Sequence, residues 1–304
     1  MMYGFTNRYV DDGTYIFFRD SEAGVTHGSE VNGGFIAWQK PSGVKFIHIV
    51  AIGGGGAGGY GRTSATGARG GGGGGGGAGI TTGSFLASLL PDILYIKPGG
   101  GGAPSASEDS AGGAGRNTYV SIGYPTETYP LIVAPGGSGG GSTINNAGGA
   151  GATAVAALNI SSMPFACIGK FDAVGGVVGY VGGTAGADAL SGVLLVGTVV
   201  SGGTGGGSMN ADAGGSTLWR SGGTTVTYTG DLNVPTSTGA FSSDGPAGYT
   251  SFNPFFSTGG IGGGSGGFLA GQGGLGSGGG GGGGGVIGSP GAPGGDGVVI
   301  ITCV

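Results

Sequence analysis

Two unbroken octets of glycine, one from Gly70 to Gly77 and one from Gly278 to Gly285, limit what this chain can fold into. Glycine loses more backbone freedom on ordering than any other residue, and it brings no side chain to bury. A glycine run cannot hold a helix, where each residue is ~1 kcal/mol worse than alanine. Two states remain: a flexible linker, or an extended structure that only glycine can enter. In polyproline-II geometry such a run has three residues per turn, a rise of ~3.1 Å and no internal hydrogen bonds, so eight residues span ~25 Å. Its backbone groups point sideways, and buried ones need partners. Neighbouring runs can supply them only at very close approach, as in collagen, where only glycine fits where three chains meet. If rods pack on all sides, nearly every position must be glycine. GGIGGGSGG (259–267) and GQGGLGSGGGGGGGG (271–285) have that density and no strict every-third repeat.

Glycine supplies 87 of the 304 residues, a share typical of low-complexity chains. Charged residues, however, make up only 8%, and the mean hydropathy is positive. Disordered chains are polar and charged because they cannot bury enough apolar surface. Here the glycine runs are bordered by apolar segments and spread over the whole chain, so as linkers they would leave no domain between them. Packed rods are therefore the expectation.

The segments beside the runs read as strands. They are TYIFFRD at 14–20, FIAW at 35–38, and 44–52 after a Pro-Ser-Gly turn. In 44–52 one face carries Val44, Phe46, His48, Val50 and Ile52, and the other Lys45, Ile47, Ile49 and Ala51. Both faces are largely apolar, which predicts a strand covered on both sides. ILYIK at 93–97 and YPLIVA at 129–134 also run into glycine, and VVIITCV at 298–304 follows it. The only helical turn on offer is FLASLL at 85–90, limited by Pro91. Residues 152–200, rich in Ala, Val and Leu, read as further strands. Residues 208–258 hold Trp219, Tyr228, Phe241, Tyr249, Phe252, Phe255 and Phe256 among Ser and Thr. No tandem repeat of fixed period emerges.

Several kinds of chemistry have no footing here. The net charge is −5, and the ten Lys and Arg are scattered singly. No basic patch is present to release counterions from nucleic acid, and Arg69-Gly70-Gly71 is a lone triplet. Cys167 and Cys303 are too few for a disulfide scaffold and read as small buried apolar side chains. The first 18 residues carry acids where a secretory signal needs a basic end and an apolar run. No stretch reaches the ~20 apolar residues of a membrane span, so synthesis in the cytoplasm without membrane insertion is expected. The spacing G-x-G-x-x-G occurs at 54–59 and elsewhere, but with this much glycine it carries no information. Gly169-Lys170 lacks the Ser or Thr of a phosphate loop. His27 and His48 are not paired at metal-ligand spacing; His48, in mid-strand, reads as packed or hydrogen-bonded. Carboxylates are few and sit mostly in turns. No catalytic residue, metal site or cofactor is expected.

The pattern W-x-x-P-x-G-V-x-x-I-x-I-x-x-I-G-G-G-G-A-G-G at 38–59, the two octets and the closing G-x-x-G-G-D-G-V-V-I-I-T at 291–302 carry a resemblance. They are similar to the glycine-rich domains of bacteriophage tail fibre, tail-tip and receptor-binding proteins, over about 35–304. LYIKPGG, PLIVAPGG and the second octet followed by DGV also resemble the extracellular glycine-rich domain of anaplastic lymphoma kinase and its leukocyte relative. That similarity implies an all-β fold: a jelly-roll-like β-sandwich framework with an inserted bundle of polyglycine-II helices and almost no α-helix. More loosely, the chain resembles the distal adhesins of T-even-like phages, where loops at the end of such a bundle bind the host.

The expectation is then a virion structural protein of the tail or an appendage. Residues 1–34 would form an N-terminal arm docking on other virion proteins, and 35–304 the glycine-rich body. The resemblance allows a homo-oligomer, a trimer among them, and a host cell-surface protein or glycan as partner. Tyr249, Phe252, Phe255 and Phe256 are the candidate contact residues, because exposed aromatics suit sugar faces and protein hot spots. The same rings would equally serve as filling for a β core. A purely structural or decoration protein without receptor contact, and a secreted glycine-rich structural protein, are the alternatives.

Overall fold

A computed structural model describes residues 9–11, 13–18, 30–31, 34–64, 69–108, 110–127, 130–143, 172–176, 178–182, 193–194, 200, 202–203, 205–206, 209–211, 217–219, 226–227, 244–252, 255–264 and 268–304. Their regular structure is almost entirely strand. In chain order these are β1 (Tyr9–Asp11), β2 (Thr14–Phe18), β3 (Glu30–Val31), β4 (Phe35–Gln39), β5 (Phe46–Ile52) and β6 (Ile80–Leu86). Next come β7 (Ile93–Lys97), β8 (Thr118–Ile122), β9 (Pro130–Ala134), β10 (Asp172–Val174), β11 (Val193–Leu194) and β12 (Met209–Ala211). The last are β13 (Thr217–Trp219), β14 (Val226–Thr227), β15 (Thr250–Phe252), β16 (Phe255–Ser257) and β17 (Val298–Cys303). The helical turn expected at 85–90 is a single 3₁₀ turn, Ala87–Leu89, and Leu86 still belongs to β6.

Two antiparallel sheets form a sandwich. One has the order β1-β2-β17-β5-β6-β10 and the other β3-β4-β7-β8-β9. Their facing sides make one apolar core, with Phe17, Ile47, Ile49, Phe85 and Ile301 from the first sheet meeting Trp38, Leu94, Ile96, Val120 and Ile132 from the second. Trp38 is 1% exposed and meets Tyr15 edge-on, with ring centroids 5.4 Å apart. The period-two alternation of β5 puts Ile47, Ile49 and Ala51 in this core. Its other face is less covered than the sequence suggests. Phe46 is 46% exposed and His48 is exposed. Only the end of that face is sealed, where Ile52 joins Ile16, Ile80, Val200 and Val298 in a second apolar cluster. His48 is hydrogen-bonded as expected, its Nδ1 lying 2.8 Å from Ser84 Oγ.

The strand at 14–20 ends at Phe18 and is built into the first sheet, paired with β17. The boundary drawn at 34/35 therefore does not separate a free arm from a body in the described residues: β2 supplies Tyr15 and Phe17 to the core. His27, Cys167, Tyr228, Phe241 and most of 152–200 lie outside the described residues.

The register explains where the glycine goes. Ile52 pairs with both Ile80 and Val298, Lys97 with Tyr119, and Thr118 with Ala134. These residues are strand ends next to glycine tracts, except Tyr119, which is one residue inside the end of β8 at Thr118. The tracts beside these strand ends therefore leave the sandwich at the same pole, and they run on side by side.

Candidate functional site at the ends of the glycine bundle

The tract from Gly53 to Arg62 shows how the bundle is built. Its first N–H groups donate in rotation: Gly54 to Arg116 O at 2.9 Å, Gly55 to Gly295 O at 2.8 Å, Gly56 to Gly76 O at 2.8 Å. The cycle then repeats with Ala57 to Gly113, Gly58 to Ala292 and Gly59 to Gly73. Tyr60, Gly61 and Arg62 continue it to Ser110, Ser289 and Gly70. Each step of three residues returns to the same neighbour, which is the three-per-turn rotation of an extended helix without internal bonds. The carbonyls reach three other tracts. Those of Gly54 and Ala57 accept from Gly137 and Gly140, those of Gly56 and Gly59 from Gly279 and Gly282, and that of Gly55 from Gly102. One tract is thus surrounded by six, in a hexagonal lattice of rods.

Both octets are lattice members. Gly70, Gly77, Gly278 and Gly285 are buried, as is every residue between them within each octet. Gly72 donates to Gly282 and Gly75 to Gly279, so the octets bind each other directly. The spacing leaves no room for side chains. A Cβ added to Gly56 would lie 1.9 Å from Ser138 O, and one on Gly75 would lie 2.1 Å from Gly56 O.

Changing from sheet to rod leaves backbone groups pointing in directions the sheet cannot serve. Side chains take them up at the junction. Buried Thr118 donates its hydroxyl to Ile52 O at 2.7 Å and accepts from Gly99 N–H at 2.8 Å, tying the two sheets together. Asn117 Oδ1 accepts from Gly136 N–H and Asp296 Oδ1 from Gly101 N–H. At the far end Arg69, 2% exposed, donates from Nε to Ser64 O, and Ser289 Oγ accepts from Gly283 N–H and donates to Phe268 O. Composition and motif do not mark these residues as structural ties. Their signal is positional: Asn117-Thr118 and Asp296 stand at a glycine-to-strand boundary, and Arg69 opens an octet.

The molecule so has two poles. At the sandwich pole lie the turn 40–45, the 3₁₀ turn and Val304, which accepts from Lys45 and Phe46 N–H. A shallow polar cleft of about 800 Å³ opens there beside Tyr15, Lys40, Ser42, Ser88 and Asp92. Lys40 is committed to the turn, with Nζ 2.7 Å from both Ala87 O and Leu90 O and 3.5 Å from Asp92. At the distal pole the tracts end near Arg62, Thr63, Arg69 and Thr143, and the turn after the second octet exposes Val286 (54%) and Ile287 (73%).

The four candidate aromatics fall elsewhere. Their hairpin, β15–β16, precedes a tract whose Gly260 donates to Gly278 O, and Ala78 and Gly276 are bonded close by. That places the hairpin at the junction of sandwich and bundle. Phe256 is 6% exposed, and Phe255 packs against the second apolar cluster. Phe252 pairs through its backbone with Phe255. Tyr249 is half exposed, its ring centroid 5.9 Å from that of Phe256. Of the weighed roles, core filling describes Phe255 and Phe256, while Tyr249 keeps a free surface.

Among the described residues no group of three or more His, Cys, Asp or Glu is placed to hold a metal ion, and no helix is long and apolar enough to cross a membrane. Cys303 is a half-buried free thiol whose pKa burial pushes up.

A strand framework carrying a lattice of glycine rods defines an all-β, glycine-rich domain. The chain belongs to the family described as the glycine-rich domain, whose model matches residues 29–304. No curated protein matches it.

Proposed function

We propose that this chain is a structural protein of a bacteriophage virion, in the tail or an appendage such as a fibre, tip or spike, and that it attaches to the host surface through segments at the ends of its rod bundle. The observation that supports this reading is the polarity of the molecule. A hydrogen-bonded lattice of rods is fixed by a sandwich at one pole and ends in exposed turns at the other. Because the inner tracts spend their amides on one another, the bundle is a stiff spacer with little surface chemistry of its own. Recognition is left to what hangs from its ends. On this reading the sandwich pole and residues 1–34 meet other virion proteins, and the chain works as a homo-oligomer, a trimer being one form the resemblance allows. The partner outside is a host cell-surface protein or glycan. The reading assigns no catalytic step and no cofactor, and it locates the protein in the virion after assembly in the host cytoplasm.

The test uses exposed residues only, because Phe256 is buried. Tyr249→Ala at the junction and Val286→Ser/Ile287→Ser at the distal pole remove apolar surface without touching the core. At least one of the two is expected to lower adsorption to host cells tenfold or more, with the melting temperature unchanged. A purified wild-type chain that neither binds host envelopes nor is found in particles by mass spectrometry would refute the proposal.

A further inference from the structure

The hairpin β1–β2 lies outside the matched span 29–304, yet the main core is incomplete without it. β2 runs along β17 through five cross-strand pairs, from Thr14↔Thr302 to Phe18↔Val298. Its inward residues Tyr15 and Phe17 are 9% and 1% exposed. β1 pairs only with β2, so the hairpin enters the sheet through a single seam. Without the hairpin β17 would be an edge strand, with an unpaired backbone and the flank of Val299 and Ile301 laid open. An edge of that kind is a template for another extended chain, with main-chain bonds giving affinity and pockets for alternate side chains giving selectivity.

We propose that the edge of β17 is an acceptor for an exchangeable strand, and that the partner it fits is the N-terminal hairpin of a second copy of this chain. Eleven residues, 19–29, join Phe18 to Glu30. A chain of that length reaches about 36 Å when extended, well beyond the ~10 Å between packed sheets. The same seam, with the same aromatic anchors, can therefore be made within one copy or between two. Equality of contacts in the two arrangements is the condition under which proteins swap elements. The inference goes beyond the virion reading and does not depend on it, since purified chain alone tests it.

Thr14 and Thr302 give the probe. Their hydroxyls are 3.4 Å apart, and Cys303 N–H donates to Gly13 O beside them, which makes 14 and 302 a pair without mutual hydrogen bonds. Paired cysteines there meet the geometry of a disulfide. In a Cys167→Ser/Cys303→Ser background, a chain carrying only Thr14→Cys is incubated at high concentration with one carrying only Thr302→Cys, then oxidised. The expected product is a covalent dimer of one chain of each kind, at least tenfold above that formed when Ser42→Cys replaces Thr302→Cys. Excess peptide of residues 9–18 should suppress it, and the same peptide with Tyr15→Ser and Phe17→Ser should not. A double variant that cross-links only within chains, with no mixed dimer from the single variants, overturns the proposal. So does suppression by both peptides alike. A double variant that does not cross-link at all removes the seam itself.

Discussion

Glycine-to-alanine changes usually stabilise a protein by ~0.4–1 kcal/mol where the backbone permits, because the unfolded chain loses freedom. In this bundle sterics reverse the sign. At Gly56 the new methyl would overlap Ser138 O, and the carbonyl cannot withdraw without breaking the lattice. Gly56→Ala is expected to cost about 3 kcal/mol or more, as severe overpacking does. Gly43 is the control. It has φ 83° and nothing within 4 Å of an added Cβ, so Gly43→Ala meets only left-handed backbone strain, ~1–2 kcal/mol. Denaturant midpoints of the two variants separate these causes, and equal losses would contradict the lattice. Thr118→Val tests the junction. It strands Gly99 N–H, at ~1–3 kcal/mol, and removes the second donor to Ile52 O, while Thr118→Ser should recover most of the stability. For Cys303, burial raises the pKa, so the neutral thiol is favoured in the folded state. Stability from this group is full below the ordinary thiol pKa and falls as pH rises through the higher folded value. Alkylation at alkaline pH should accordingly be slower in the native chain than in urea.

At the scale of elements, the rods are predicted to behave like strands in solution. Amides of Gly72–Gly76 and of Gly279, Gly280 and Gly282 have backbone acceptors within the bundle. Their hydrogen exchange should be as slow as that of β5, whereas a linker would exchange within the dead time of the experiment. Much of this was readable in advance. The β-branched runs at 46–52 and 298–303 predict their strands, and the octets predict close packing because nothing larger than glycine survives there. The aromatic hairpin was not readable. Phe252, Phe255 and Phe256 look alike in sequence whether they point outward or inward, and only the neighbours Ile52, Ile80 and Val298, distant in the chain, settle that Phe255 turns in. The open face of β5 was missed for a related reason. Apolar residues on both faces of a strand do not say which face finds a cover.

At the scale of the molecule, the tract at 53–62 is a hub of the lattice, and its neighbours come from 70–76, 99–103, 110–116, 137–140, 279–285 and 289–295. Two of these six surrounding rods are more than 200 positions downstream in the chain. Contacts of such separation slow folding, since ordering must precede reward. On the ribosome, the first glycine-rich segment to emerge must then wait for nearly the last. Its amides stay hydrated and its apolar flanks exposed through most of translation. A prematurely terminated chain has no smaller version of this architecture to settle into, so nonsense fragments should be cleared or aggregate rather than accumulate as shortened, working rods.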